Sequence, residues 1–176
     1  MPPDDSSDDP NLGKIERAYS IQYDRLTAST PAAVWDAITK PHIVSKWMGY
    51  PARIELRIGG DYFLDFGADS GENLDGVIVA LESEKSLRYS WGLSVLEWRL
   101  EADEATGGCR YSFGHHGMPI RGIPDEQGVA AGWHSWLEAL EASLSGITRP
   151  AERDRDCCET VGPAYRRAIE AEIGPI

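Results

Sequence analysis

One change of hydrophobic period divides this chain. From Asp125 to Leu144, Val129, Trp133, Trp136, Leu137, Leu140 and Leu144 recur at helical spacing and make one broad apolar stripe. Before that point the pattern is mostly period two, broken by glycine and polar turns. Lys14–Leu26 reads as a long half-buried strand carrying Ile15, Tyr19, Ile21 and Tyr23. Ser29-Thr30-Pro31 is a helix start, and Val34, Trp35 and Ile38 share a face behind it. Pro41 restarts the chain into a second short helix that Gly49 and Pro51 end. Strands are expected at 53–58, 61–66, 72–82, 86–91, 94–103 and 109–116, with the first hairpin at Gly59-Gly60-Asp61. Proline and glycine exclude a regular element over 117–124. The order is therefore strand, two short helices, a meander and one long helix. The expected fold is α+β: a curved antiparallel sheet of about seven strands around a long C-terminal helix. A half-apolar sheet must be covered on one face, and the long stripe fits that task.

Length and charge narrow the function classes. At 176 residues the chain suits one domain with tails, and it can bury a core without a metal or disulfide staple. Acidic residues outnumber Lys plus Arg by 29 to 17, which argues against nucleic acid and anionic lipid as partners. Asp4, Asp5, Asp8 and Asp9 sit among three prolines without a base, so residues 1–13 read as a disordered acidic leader. The main domain is expected over 14–146, and a linker with a helical extension over 147–176. Cys109, Cys157 and Cys158 form no framework, and no signal peptide or membrane span is visible. A cytoplasmic protein, monomeric or homodimeric, is the expectation.

The segment TPAAVWDAITKPHIVSKWMG carries Pro31, Val34-Trp35 and Trp47, and Gly59-Gly60-Asp61 follows it. Leu87–Trp91, Val95–Leu100 and Ala131-Gly132-Trp133 then come in order. This ordered set resembles the activator of Hsp90 ATPase homologue family, within the START-related SRPBCC helix-grip superfamily. Gly107-Gly108-Cys109-Arg110 departs from the family's glycine–threonine–arginine turn at Cys109. The resemblance implies a helix-grip (START/Bet v 1-like) fold with a cavity between sheet and helix. Members bind lipids, sterols, polyketides or plant hormones, and some are cyclases.

The candidate ligand-binding residues are Trp47, Phe66, Tyr89, Trp91, Trp98, Phe113, His115, Met118, Trp133, Trp136 and Leu137. Rings supply rigid apolar walls with a few polar edges. Their positions fit two readings, a filled core and a lined pocket. His115 and His116 fall on opposite faces of one strand, so only one can look inward. Arg88, Glu97 and Arg99 read as ion pairs on the convex face. Met118, Pro119, Ile120, Ile123 and Pro124 read as an apolar loop that either caps the core or borders a cavity mouth. No catalytic set, cofactor motif or metal-ligand spacing emerges: HExxH, GxSxG and GxGxxG are absent. The leading expectation is a module that binds a small hydrophobic or aromatic molecule. A protein-interaction or co-chaperone-like module is the alternative, and an enzyme acting on an aromatic substrate, a cyclase or hydrolase, comes third.

Overall fold

The computed structural model describes residues 18–147, apart from 69, 71 and 72, and residues 155–173. The acidic leader and residues 14–17 of the first expected strand lie outside them. The elements follow in the order β1 (Ala18–Thr27), α1 (Pro31–Thr39), α2 (Pro41–Met48), β2 (Ala52–Ile54), β3 (Asp61–Leu64), β4 (Leu74–Glu82), β5 (Ser86–Trp91), β6 (Ser94–Asp103), β7 (Gly108–Pro119), α3 (Ile123–Leu144) and α4 (Arg155–Ile173). The seven strands form one antiparallel sheet in the order β1-β7-β6-β5-β4-β3-β2. The first strand thus closes against the last.

Local chemistry sets the two short helices. Thr30 caps α1, its hydroxyl accepting from the Ala33 N–H at 3.2 Å, and Pro31 supplies a pre-set φ. Gly49 ends α2 in the left-handed region, at φ 80°. The Trp47 indole N–H donates to the Ala37 carbonyl at 2.9 Å and locks α2 on α1. The Tyr62 hydroxyl donates to the Ile38 carbonyl at 2.9 Å and ties both to the sheet.

Alternation along the strands makes the core. Leu74 and Ile78 on β4, Leu87 and Tyr89 on β5, Leu96, Trp98 and Leu100 on β6, and Tyr111 and Phe113 on β7 are all buried. Trp133, Trp136, Leu137 and Leu140 of α3 meet them. The outward residues of β5 and β6 are charged: Arg88 and Arg99 both pair with Glu97, at 3.7 and 3.1 Å. Helix α3 is buried on nearly all sides over 130–137, because α4 packs on its other face. The Cys158 thiol reaches the Ala131 carbonyl, and Tyr165 sets its ring edge against Tyr23.

Several boundaries differ from the sequence expectation, among them the strand expected over 61–66, which stops at Leu64, and that over 72–82, which starts at Leu74. The strand expected over 53–58 stops at Ile54, where tight turns take over: the Arg57 N–H donates to the Glu55 carbonyl and the Gly60 N–H to that of Arg57. Strand β7 runs on through Gly117 and Met118 to Pro119. Tyr19 pairs with Met118 and Ser20 with His116, so Gly117 is the extra residue of a bulge, at φ 76°. Pro119 ends the strand, and α3 starts at Ile123 rather than Asp125.

Candidate functional site

The inward faces of β6 and β7 contain two polar residues among apolar ones. Ser94 opens the series Ser94, Leu96, Trp98, Leu100, and His115 follows Tyr111 and Phe113. Both lie where the sheet opens, beside the tight Gly92-Leu93 turn that joins β5 to β6. A cleft of about 570 Å³ occupies this end. Its walls come from the β5–β6 turn (Trp91, Leu93, Ser94), the end of β7 (His115, Met118), the start of β4 (Asn73, Asp75) and Val129 of α3. Tyr19 and Arg121 complete the rim. The volume suits a small organic molecule, and apolar side chains supply much of the wall.

Hydrogen bonds fix the protons of the buried wall. The Trp133 indole can only donate, and it donates to His115 Nδ1 at 3.1 Å. That nitrogen must therefore carry a lone pair, and the proton of the neutral ring sits on Nε2. His115 Nε2 lies 2.7 Å from the Ser94 hydroxyl oxygen and donates to it. Ser94 passes its own proton to the Trp91 carbonyl at 2.8 Å. Trp91 stacks on the imidazole, with centroids 5.6 Å apart and planes 10° from parallel. Trp133 stands edge-on to both rings.

The same geometry explains the electrostatics of His115. Burial disfavours its cationic form and His116 adds repulsion, bringing its pKa down to about 4. An imidazolium would also turn an N–H toward the indole N–H of Trp133. His115 is thus a neutral, oriented hydrogen-bonding group. In this tautomer it cannot take the Ser94 proton, because nucleophilic activation needs a base that accepts from the hydroxyl. In this tautomer the pair presents an oriented hydroxyl and does not activate it as an alkoxide.

Trp91, His115 and Met118 line the cleft among the residues singled out from sequence. Trp47, Tyr89, Trp98, Phe113, Trp133, Trp136 and Leu137 pack in the core. There Trp98 meets Phe113 at 4.5 Å, Phe113 meets Trp133 at 4.4 Å, and Trp133 meets Trp136 at 5.0 Å, all between centroids. Phe66 is half-buried between Tyr50, Trp91 and Trp136, just behind the cleft wall. Rings pack the middle of the sheet–helix space, and the cleft lies toward its end. Sequence reasoning did not single out Ser94, Asn73, Asp75, Leu93 or Arg121. For Ser94 a signal existed: it is the one polar residue in an inward series that is otherwise apolar.

The other end of the groove between α3 and the sheet carries charge. The Arg25 guanidinium donates to Glu138 at 2.9 Å and Glu141 at 3.4 Å, and the Tyr111 hydroxyl donates to Glu141 at 2.8 Å. Burial and the Glu141 carboxylate hold the Tyr111 phenol above its ordinary range. The Tyr165 hydroxyl lies 2.8 Å from His134 Nδ1 and extends the cluster to α4.

Comparison with known proteins places this geometry. Residues 28–145 match the family model described as activator of Hsp90 ATPase homolog 1-like protein. Among solved structures, a conserved protein of unknown function from Enterococcus faecalis is 16% identical, with a TM-score of 0.70 over 86% of this chain and 85% of that one. CalU16 from Micromonospora echinospora is 23% identical, with a TM-score of 0.68 over 86% and 89%. DynU16, a protein of the dynemicin biosynthetic locus, is 20% identical, with a TM-score of 0.62 over 73% of this chain and 48% of that one. These likenesses show the helix-grip fold. No curated protein matches.

Proposed function

We propose that this chain, which belongs to the activator of Hsp90 ATPase homolog 1-like family, binds a small, largely apolar aromatic molecule in the cleft at the open end of its sheet. The observation that carries the reading is the cleft of about 570 Å³ walled by the stacked Trp91–His115 pair. A half-buried indole beside an ordered polar group offers a stacking face and an orienting contact. The experiment is an amide and indole NMR titration with 2-naphthol. The Trp91 indole cross-peak is expected to shift saturably while that of Trp98, buried in the core, stays put. Val129→Trp, which fills the cleft from α3, is expected to abolish the shift. No saturable change at Trp91 with any neutral two-ring aromatic would overturn the reading.

A protein-binding module is the second reading, favoured by apolar side chains left on the outer face. Ile58 is 67% exposed, Val79 49% and Val77 43%, around the β2–β3 turn and β4. That reading predicts that Val77→Asp with Val79→Asp removes a partner and leaves the naphthol shifts intact.

A further inference from the structure

We infer that the cleft selects ligands that donate a hydrogen bond, neutral phenols and their N–H counterparts, over ligands that only accept. The inference rests on the ligand-binding reading above and adds the polarity of its buried wall.

Each proton in the chain behind the cleft is already directed. The indole N–H of Trp133 goes to His115 Nδ1, the Nε2–H of His115 to Ser94, and the hydroxyl proton of Ser94 to the Trp91 carbonyl. A serine hydroxyl has one proton and two lone pairs. Ser94 spends the proton and one lone pair inside the protein, so one lone pair is its unspent capacity. A donor from the ligand meets that capacity at no cost to the chain. At this hydroxyl an acceptor can be served only by taking the Ser94 proton off Trp91, or by turning the His115 tautomer against the Trp133 N–H. Either change leaves a buried group unsatisfied.

The rest of the lining adds both kinds of group, so the preference rests on Ser94. Asp75 adds a carboxylate, itself an acceptor, on the β4 side. The side-chain oxygen of Asn73 is held by the Phe66 N–H at 2.9 Å, which leaves its NH2 as a donor on the β4 side, apart from the Ser94 hydroxyl. Arg121, on the stretch between β7 and α3, is the cation among the described lining residues. A neutral donor on an aromatic frame therefore matches both the stacked wall and the buried polar point. An anionic acceptor meets Asp75 in a chain that already carries a formal charge of −12.

The experiment compares three probes of one frame by NMR titration at pH 7: 2-naphthol, 2-methoxynaphthalene and 2-naphthoate. Roughly five- to tenfold tighter binding of 2-naphthol than of either other probe is expected, the worth of one hydrogen bond against one unsatisfied group. Ser94→Ala is expected to erase that preference, because it removes the lone pair and bares the His115 N–H. Ser94→Thr, which keeps the hydroxyl, is expected to retain it. Trp133→Phe, outside the cleft lining, is expected to shrink the preference by freeing the tautomer. Should that variant fail to fold, the two Ser94 variants decide alone. Equal binding of 2-naphthol and 2-methoxynaphthalene, tighter binding of 2-naphthoate, or an unchanged preference in Ser94→Ala would each overturn the inference and leave the cleft reading standing. Failure of all three probes would overturn the cleft reading itself.

Discussion

Helix α3 meets the sheet at two ends that handle buried polarity in opposite ways. At one end Arg25, Glu138, Glu141 and Tyr111 bridge β1, β7 and α3 with charge. At the other end Trp133, His115, Ser94 and Trp91 join α3, β7, β6 and β5 through a neutral relay. The charged end is closed by its own contacts, whereas the neutral end borders the cleft. The difference teaches where each kind of polarity is affordable. A partly solvated cluster tolerates full charges, because water still reaches them. A buried relay gains from neutrality, since an unpaired charge there would stand desolvated. Between the two ends the rings of Trp98, Phe113, Trp133 and Trp136 pack against one another in the buried core.

Substitutions break this comparison in graded fashion. Trp98→Ala, in the ring-filled middle, is expected to cost about 3–5 kcal/mol in a urea denaturation, as large-to-small changes in tight cores do. A loss near zero would mean that the middle holds space. The neutral end comes next, through pH. Unfolded histidine takes up a proton near 6.5, while folded His115 resists until about 4. Its full contribution is therefore present above pH 6.5, is lost progressively as pH falls to about 4, and changes no further below that. The whole gap is worth about 3 kcal/mol. Carboxylates titrate in part of the same window, so the test is the difference between wild type and His115→Gln. The variant should show a shallower loss between pH 6.5 and 4, and parallel curves would contradict the account.

The charged end should respond less, and to salt. Arg25→Met is expected to cost about 1 kcal/mol, with the difference narrowing at high ionic strength, because its partners are about a third exposed. A salt-independent cost would assign Arg25 a packing role instead. Outside both ends, Thr30→Ala should cost about 1 kcal/mol through the lost cap of α1, seen as a small drop in Tm.

Much of the fold could be read directly from residue patterns. The Thr30-Pro31 start, the period-two strands 86–91 and 94–103 and the stripe from Trp133 to Leu140 each rest on local chemistry that no later contact overrides. The end of β7 was hidden because glycine and proline normally break strands. Here Gly117 takes the bulge and Pro119 the last position, where a missing N–H does no harm. The site was less visible. Sequence placed Trp91, Trp98, Trp133 and Trp136 on elements that face one another. Which of these rings fill the middle and which border space depends on register and on how α3 lies, and those are non-local. By pattern Ser94 is only the first residue of the strand expected over 94–103; its role depends on the 21-residue separation to His115 closing to a hydrogen bond. The direction of that bond depends on Trp133, on a third element.

The neutral relay is the claim on which the cleft's chemistry rests, and the nitrogen resonances of His115 read it directly. Long-range proton–nitrogen NMR of the imidazole from pH 7 to pH 5 should show an unprotonated Nδ1 and a protonated Nε2 throughout. A ring protonated on Nδ1, or an imidazolium already formed at pH 6, would contradict it.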